Sequence, residues 1–269
     1  MSRRNASAPT LLLLAALLTP GCKPATTADP NAHHSRSDPF PRRYATPTGE
    51  TSSVPAPPQR IVSATLFTDA VLLAICPRAR IAALHEVSTK PMFSPVAEES
   101  RRFPHHVTAD PESVRIMRPD LVFLASFSDK RADALVSGDG CTVVRLHGLS
   151  SLAGIRQSIR DVGYLIGCDE AAERVVATMQ ERLDRVALRR ARRRAWRLLS
   201  WDSGFVAGKG TVFDDVLACV GARNAAAERG LSGAVRLEQE QLLGLDPDAL
   251  VVGVAPGDEA GARQRLLQL

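Results

Sequence analysis

The residues that could ligate a metal, hold a ring or move a proton are few and mostly scattered in this 269-residue chain. His85-Glu86 puts an imidazole beside a carboxylate after a short apolar run, where it could ligate a metal centre or serve the loop's own structure. His33-His34 and His105-His106 read as solvated. Trp201 follows another apolar run, and its ring either stacks on a flat solute or packs into the core. The five cysteines form no CxxC pair, which excludes a zinc ribbon or a thioredoxin-type site. Gly204–Thr211 holds Gly-Lys-Gly-Thr, but a phosphate-cradling loop needs four residues between its glycines and a Ser or Thr directly after the lysine. Here the first spacing is one short and Gly210 intervenes. Ser203-Gly204 lacks the first glycine of a nucleophile elbow. Neither an acid-base pair nor a cofactor motif emerges, so the chemistry points to binding.

Two acids recur in register. Glu112 is followed by six residues, then Pro119-Asp120 and an apolar run; Glu240 is followed by six residues, then Pro247-Asp248 and another apolar run. The two copies lie 128 residues apart. Each reads as a helix closed by proline and followed by a strand, the mark of a duplicated lobe. Taken alone, Asp110-Pro111-Glu112 is also an ordinary helix start, with a cap, a first-position proline and an acid at the positive dipole end.

The elements around these residues follow from the apolar pattern. Arg60–Ala64, Arg80–Leu84, Leu121–Ala125, Thr142–Leu146, Arg197–Trp201 and Leu250–Val254 are predicted strands. They are continuous apolar runs, which suits parallel strands covered on both faces. Helices are predicted between them, for example over Thr68–Ile75 and Ser113–Arg118. Leu152–Ile166 reads as a helix stopped by Gly167, and Asp169 caps a second one running to about Arg194, roughly 38 Å long. The fold class is therefore α/β, with a lobe on each side of a long helix. The arginine run at 189–194 reads as that helix's solvated last turn, and with aromatics at only 4% a nucleic-acid platform is not expected.

Residues 1–22 read as an export signal: Arg3-Arg4, then the apolar run Leu11–Leu18, then Gly21-Cys22. The pattern resembles a bacterial lipoprotein signal, in which the cysteine is lipidated, although Thr19 stands where leucine is usual. An ordinary secretory signal with a chance cysteine is the other reading. Eight of the 18 prolines fall within residues 23–58, so this stretch is expected to be a disordered tether. The first lobe is then 59–150, the connecting helices 151–195 and the second lobe 196–269. Cys76, Cys141, Cys168 and Cys219 lie in or beside apolar segments and read as buried free thiols.

Arg60-Ile61-Val62-Ser63, the two Glu–Pro-Asp units, the long helix between them and Gly204–Asn224 together resemble the substrate-binding proteins of ABC importers that take up cobalamin, iron-siderophores and haem. The similarity runs from about Pro58 to the end. It implies two Rossmann-like lobes joined by a single long helix, with ligand in the cleft between them. It implies no catalysis and no cofactor beyond an iron or cobalt chelate carried as ligand. The partners it implies are a permease dimer with its ATPase, with the binding protein itself a monomer at the outer face of the membrane. By the same resemblance Glu112 and Glu240 dock onto the permease, with Glu238 competing for the second role. Ligand contacts are expected on loops after strands, at Thr65, Phe67, His85, Trp201 and Phe205, with Glu86, Lys90 and Ser126-Phe127-Ser128 nearby. Adding the repeat offset to the strand at Thr142 passes Leu269, so the second lobe is expected to be truncated. A zinc or manganese importer component and a chelatase-like enzyme are the alternatives.

Overall fold

The computed structural model describes residues 38–108, 110–124, 140–188, 195–254, 257 and 261. An antiparallel hairpin comes first, β1 (Arg42–Ala45) and β2 (Thr51–Val54). The first lobe follows: β3 (Ile61–Ser63), α1 (Leu66–Ile75), β4 (Ile81–His85), α2 (Ala97–Ser100), β5 (His106–Val107), α3 (Pro111–Ile116), β6 (Leu121–Leu124) and β7 (Thr142–Arg145). Two long helices succeed it, α4 (Leu152–Ile166) and α5 (Asp169–Leu188). The second lobe holds β8 (Arg197–Trp201), β9 (Phe205–Ala207), α6 (Val212–Val220), β10 (Arg223–Asn224), α7 (Ala225–Glu228), β11 (Ala234–Arg236), α8 (Gln239–Leu243) and β12 (Ala249–Val252).

The first lobe's strands pair in parallel in the order β5-β4-β3-β6-β7. Among the described residues the second lobe has a parallel sheet in the order β10-β8-β12 and an antiparallel pair, β9 with β11. All four residues of β6 are buried because the first sheet is covered on both faces. Ile61, Leu84 and Phe123 pack with α1 and α4 on one side. Val62, Val114 and Val122 pack on the other. A smaller core of Leu199, Val206, Ala225 and Leu242 holds the second lobe.

Helix α4 ends at Gly167, whose φ of 71° is the left-handed conformation that glycine adopts without strain. Gly163 lets α4 approach α5: a Cβ there would stand 2.4 Å from that of Ala172. Helix α5 packs on α1 in the first lobe and on α6 in the second. The Leu152 N–H donates to Asp215 Oδ2 at 2.7 Å, which ties the start of α4 to the second lobe. The arginine run 189–194 lies outside the described residues.

One boundary is corrected. The tether expected through residue 58 gives way to folded chain, because the hairpin buries Tyr44 and Val54 in the first lobe's core. Ser52 Oγ donates to Val143 O at 2.8 Å and Thr142 Oγ1 to Ser53 O at 3.0 Å, so the hairpin also covers the β7 edge. Arg42 locks it down. Its guanidinium donates to Asp169 Oδ2 at 2.7 Å and to Tyr164 O, and lies over the rings of Phe40 and Tyr164. The two side chains are only 7% and 15% exposed. Truncating one partner strands a largely buried charge, so Arg42→Ala should cost about 3 kcal/mol, on the order of 10 °C in Tm. Urea and thermal melts check this, and a loss under about 1 kcal/mol would mean the hairpin adds nothing to the fold.

The two Pro-Asp units perform the same mechanical task. The Arg60 N–H donates to Asp120 Oδ1 at 3.0 Å while the Asp120 N–H donates to Arg60 O at 3.0 Å. In the second lobe the Arg197 N–H donates to Asp248 Oδ2 at 2.8 Å and the Asp248 N–H to Arg197 O at 2.8 Å. Each arginine side chain then reaches the carbonyls closing the preceding helix: Arg60 those of Met117 and Arg118, Arg197 those of Leu245 and Asp246. Arg118 and Asp246 both have positive φ, 47° and 46°. A cation on the helix end and a carboxylate on the strand start thus fix each glutamate-bearing helix to its sheet.

Candidate functional site

Parallel strands in each lobe end in loops that form a rim. In the first lobe Thr65 caps α1, its Oγ1 accepting the Thr68 N–H at 3.1 Å, and Phe67 packs half-buried against the core. Behind this cap lies Asp69, fully buried in the first turn of α1. Its carboxyl accepts the His85 N–H at 3.1 and 3.3 Å. Burial pushes Asp69 up to about 7, against the lowering effect of hydrogen bonds from Ser63, Ser88 and the His85 backbone.

His85 ends β4, and its Nδ1 accepts the Val87 N–H at 3.1 Å, opening the turn Glu86–Thr89. Burial lowers its pKa, with Glu86 opposing, and so favours the neutral ring. With Nδ1 accepting, the ring proton sits on Nε2. His85 is therefore a hydrogen-bond donor in this geometry, and the lone pair that a metal would take is engaged by the loop.

The most open apolar side chains on this rim are Met92 and Phe93, 59% and 56% exposed. Sequence reasoning passed over them. The signal was there in Pro91-Met92-Phe93-Ser94-Pro95: large apolar residues bracketed by prolines fit neither a helix interior nor a central strand.

In the second lobe Trp201 ends β8 and leans half-buried on the core of that lobe. A tight turn at Ser203-Gly204, with φ of 51° and 89°, reverses the chain into β9. It presents Phe205 at 47% exposure. Of the two rings expected to meet ligand, Phe205 is the open one, and Trp201 packs against the second lobe's core. Ser126-Phe127-Ser128 and Cys22 lie outside the described residues. His106, expected in a solvated loop, instead pairs in β5 and has Nε2 3.1 Å from Ser100 O. A groove of about 480 Å³ along α1 and α5, lined by Ala74, Ala171, Val175, Thr178 and Met179 among others, contains none of the rim residues.

Glu112 and Glu240 are both exposed and each is the second residue of a short helix. Asp110 caps the first, accepting the Ser113 N–H at 3.0 Å. Glu238 occupies the same capping position in the second, where its own N–H donates to Gln241 Oε1 at 3.0 Å. The register is therefore Asp110 with Glu238 and Glu112 with Glu240.

A family model described as periplasmic binding protein matches residues 61–267, beginning at β3 and crossing both sheets. The chain belongs to the periplasmic binding protein family. Among relatives of this periplasmic binding protein, an uncharacterized ABC transporter substrate-binding lipoprotein of Bacillus subtilis, YvrC, is 25% identical over 89% of this chain and 78% of its own. A cobalamin-binding protein of Halobacterium salinarum is 27% identical over 54% of this chain and 40% of its own. The periplasmic heme-binding protein RhuT of Roseiflexus sp. RS-1 superposes with a TM-score of 0.62 at 23% identity, covering 72% of this chain and 76% of that one. That structural likeness establishes a shared fold.

Proposed function

We propose that this periplasmic binding protein is the solute-capturing component of an ABC importer, that its solute is a metal chelate such as cobalamin, haem or a ferric siderophore, and that lipid on Cys22 holds it at the membrane. The observation that carries the reading is the family match over both lobes, together with a repeated acid-bearing helix in each. The open apolar side chains Met92, Phe93 and Phe205 suit a large flat or greasy ligand better than a bare ion. A bare-cation site would need three or four converging ligands, whereas His85 Nδ1 is engaged by its own loop. Capture and release make and break no covalent bond.

Titration of the purified protein with haemin, cyanocobalamin, a ferric siderophore, zinc and manganese tests this. Saturable one-to-one binding of one of the chelates is expected. Binding of zinc or manganese alone would replace the proposal with the metal-ion reading. For the anchor, Cys22→Ser should shift the protein to the soluble fraction or leave its precursor uncleaved, and unchanged membrane attachment would refute lipidation at Cys22.

A further inference from the structure

Met92 and Phe93 owe their place on the rim to bonds beneath them. Their loop runs from the turn Glu86–Thr89 to α2. It is folded on itself: the Phe93 and Ser94 N–H groups donate to Lys90 O at 3.0 and 3.1 Å, and Ser94 Oγ accepts the Val96 N–H at 3.3 Å. Ser94 and Ala97 are buried on its inner side. One chain of hydrogen bonds joins its two ends. Ser88 Oγ, in the turn, donates to His85 O at 2.7 Å. The Ser100 hydroxyl, at the end of α2, therefore supplies the proton in its 2.6 Å bond to Ser88 Oγ. His106 Nε2 lies 3.1 Å from Ser100 O and 3.3 Å from Ser100 Oγ; a carbonyl can only accept, so that nitrogen is the donor. The chain of bonds thus runs from β5 through α2 and the turn to the end of β4. Both serines are fully buried.

We propose that Ser88 and Ser100 are positioning residues for solute capture: their bond ties the two ends of the loop together and keeps Met92 and Phe93 standing open as a preformed apolar wedge for a flat ring of the solute. The proposal rests on the chelate reading above and adds to it the groups that set the shape of the site. Met92 and Phe93 make the contact, and the two serines act only through them. Pro91 and Pro95 fix their own φ angles, so the freedom of this loop lies at its ends, where the serines meet. With the ends tied, less of the loop remains to be ordered when solute arrives, and affinity gains by that much. Ser100→Ala cuts the tie without stranding a buried donor, since Ser88 keeps its bond to His85 O. Alanine also suits the helix, so the variant folds.

Two readouts on the full chain test this. In amide hydrogen exchange, the loop that carries Met92 and Phe93 should exchange up to about tenfold faster in Ser100→Ala, the effect of losing one neutral hydrogen bond, while the strands of both sheets stay unchanged. In titrations with haemin and with cyanocobalamin, Ser100→Ala should weaken the probe that the parent binds by up to about tenfold. The same substitution should cost nothing further in a Met92→Ala/Phe93→Ala background, because it acts through those two side chains. Unchanged exchange in the loop overturns the tie. Unchanged affinity, or an equal loss in both backgrounds, overturns the positioning role. A parent that binds neither probe overturns the chelate reading and the wedge with it, and the exchange rates then decide separately whether the serines tie the loop.

Discussion

Glu112→Ala/Glu240→Ala should retain full solute affinity and lose most of its uptake in vesicles carrying the permease and ATPase. Each acid is exposed, at the second position of a helix bound to its sheet by an arginine and an aspartate. An exposed ion pair contributes about 1 kcal/mol or less, so each single variant should lose up to about fivefold. In the proposed docking the two acids would engage two basic sites of a dimeric permease together, and the second contact would then be intramolecular. The double variant should therefore lose roughly the product of the single losses, on the order of tenfold or more. Raised salt should weaken docking of the parent protein and leave the double variant little changed. Undiminished uptake would return both residues to ordinary helix-start acids, and lost solute affinity would move them into the ligand site.

Asp69→Asn should flatten a pH dependence of stability. The carboxyl is raised from its ordinary 3.8 to about 7 in the folded protein, chiefly by burial. Between those values the folded state holds a proton that the unfolded state has released, so stability falls as pH rises through the window and levels off above it. Asparagine keeps an acceptor for the His85 N–H and cannot ionise. The stability of the variant relative to the parent should accordingly grow by about 4 kcal/mol between pH 4 and pH 8. Urea melts of both proteins across that range decide it. A constant difference would show that Asp69 ionises in the folded protein as it does in the unfolded chain.

The strands at Arg197–Trp201 and Leu121–Leu124 and the helix Leu152–Ile166 were legible because burial on both faces, or a capped amphipathic period, writes itself into the local sequence. The Pro-Asp repeat was legible too, but its cause was hidden. Asp120 and Asp248 act on Arg60 and Arg197, which are distant in sequence, and spacing alone cannot reveal a clamp across such a gap. The hairpin was missed because proline and hydroxyl residues dominate its composition. Its order comes from Tyr44, Val54 and the Arg42–Asp169 pair, all partners supplied by tertiary contact. In the rim, the expectation of ligand contacts at strand ends named Thr65, His85 and Phe205, and the hydrogen bonds around them set what each side chain offers. Thr65 and His85 turn their acceptors onto their own loops, while Phe205 is left open by a two-residue turn.

The folded hairpin also shortens the leash. With Cys22 anchored in lipid, 15 residues separate it from Asp38, where the described fold begins, instead of the 36 through residue 58. Even fully extended, 15 residues reach no farther than about 50 Å. Under the proposed anchoring the lobes would be confined to a low dome of solvent against the bilayer. Capture and delivery would then take place inside that dome, and a solute would have to diffuse to within a few protein diameters of the lipid surface to be caught.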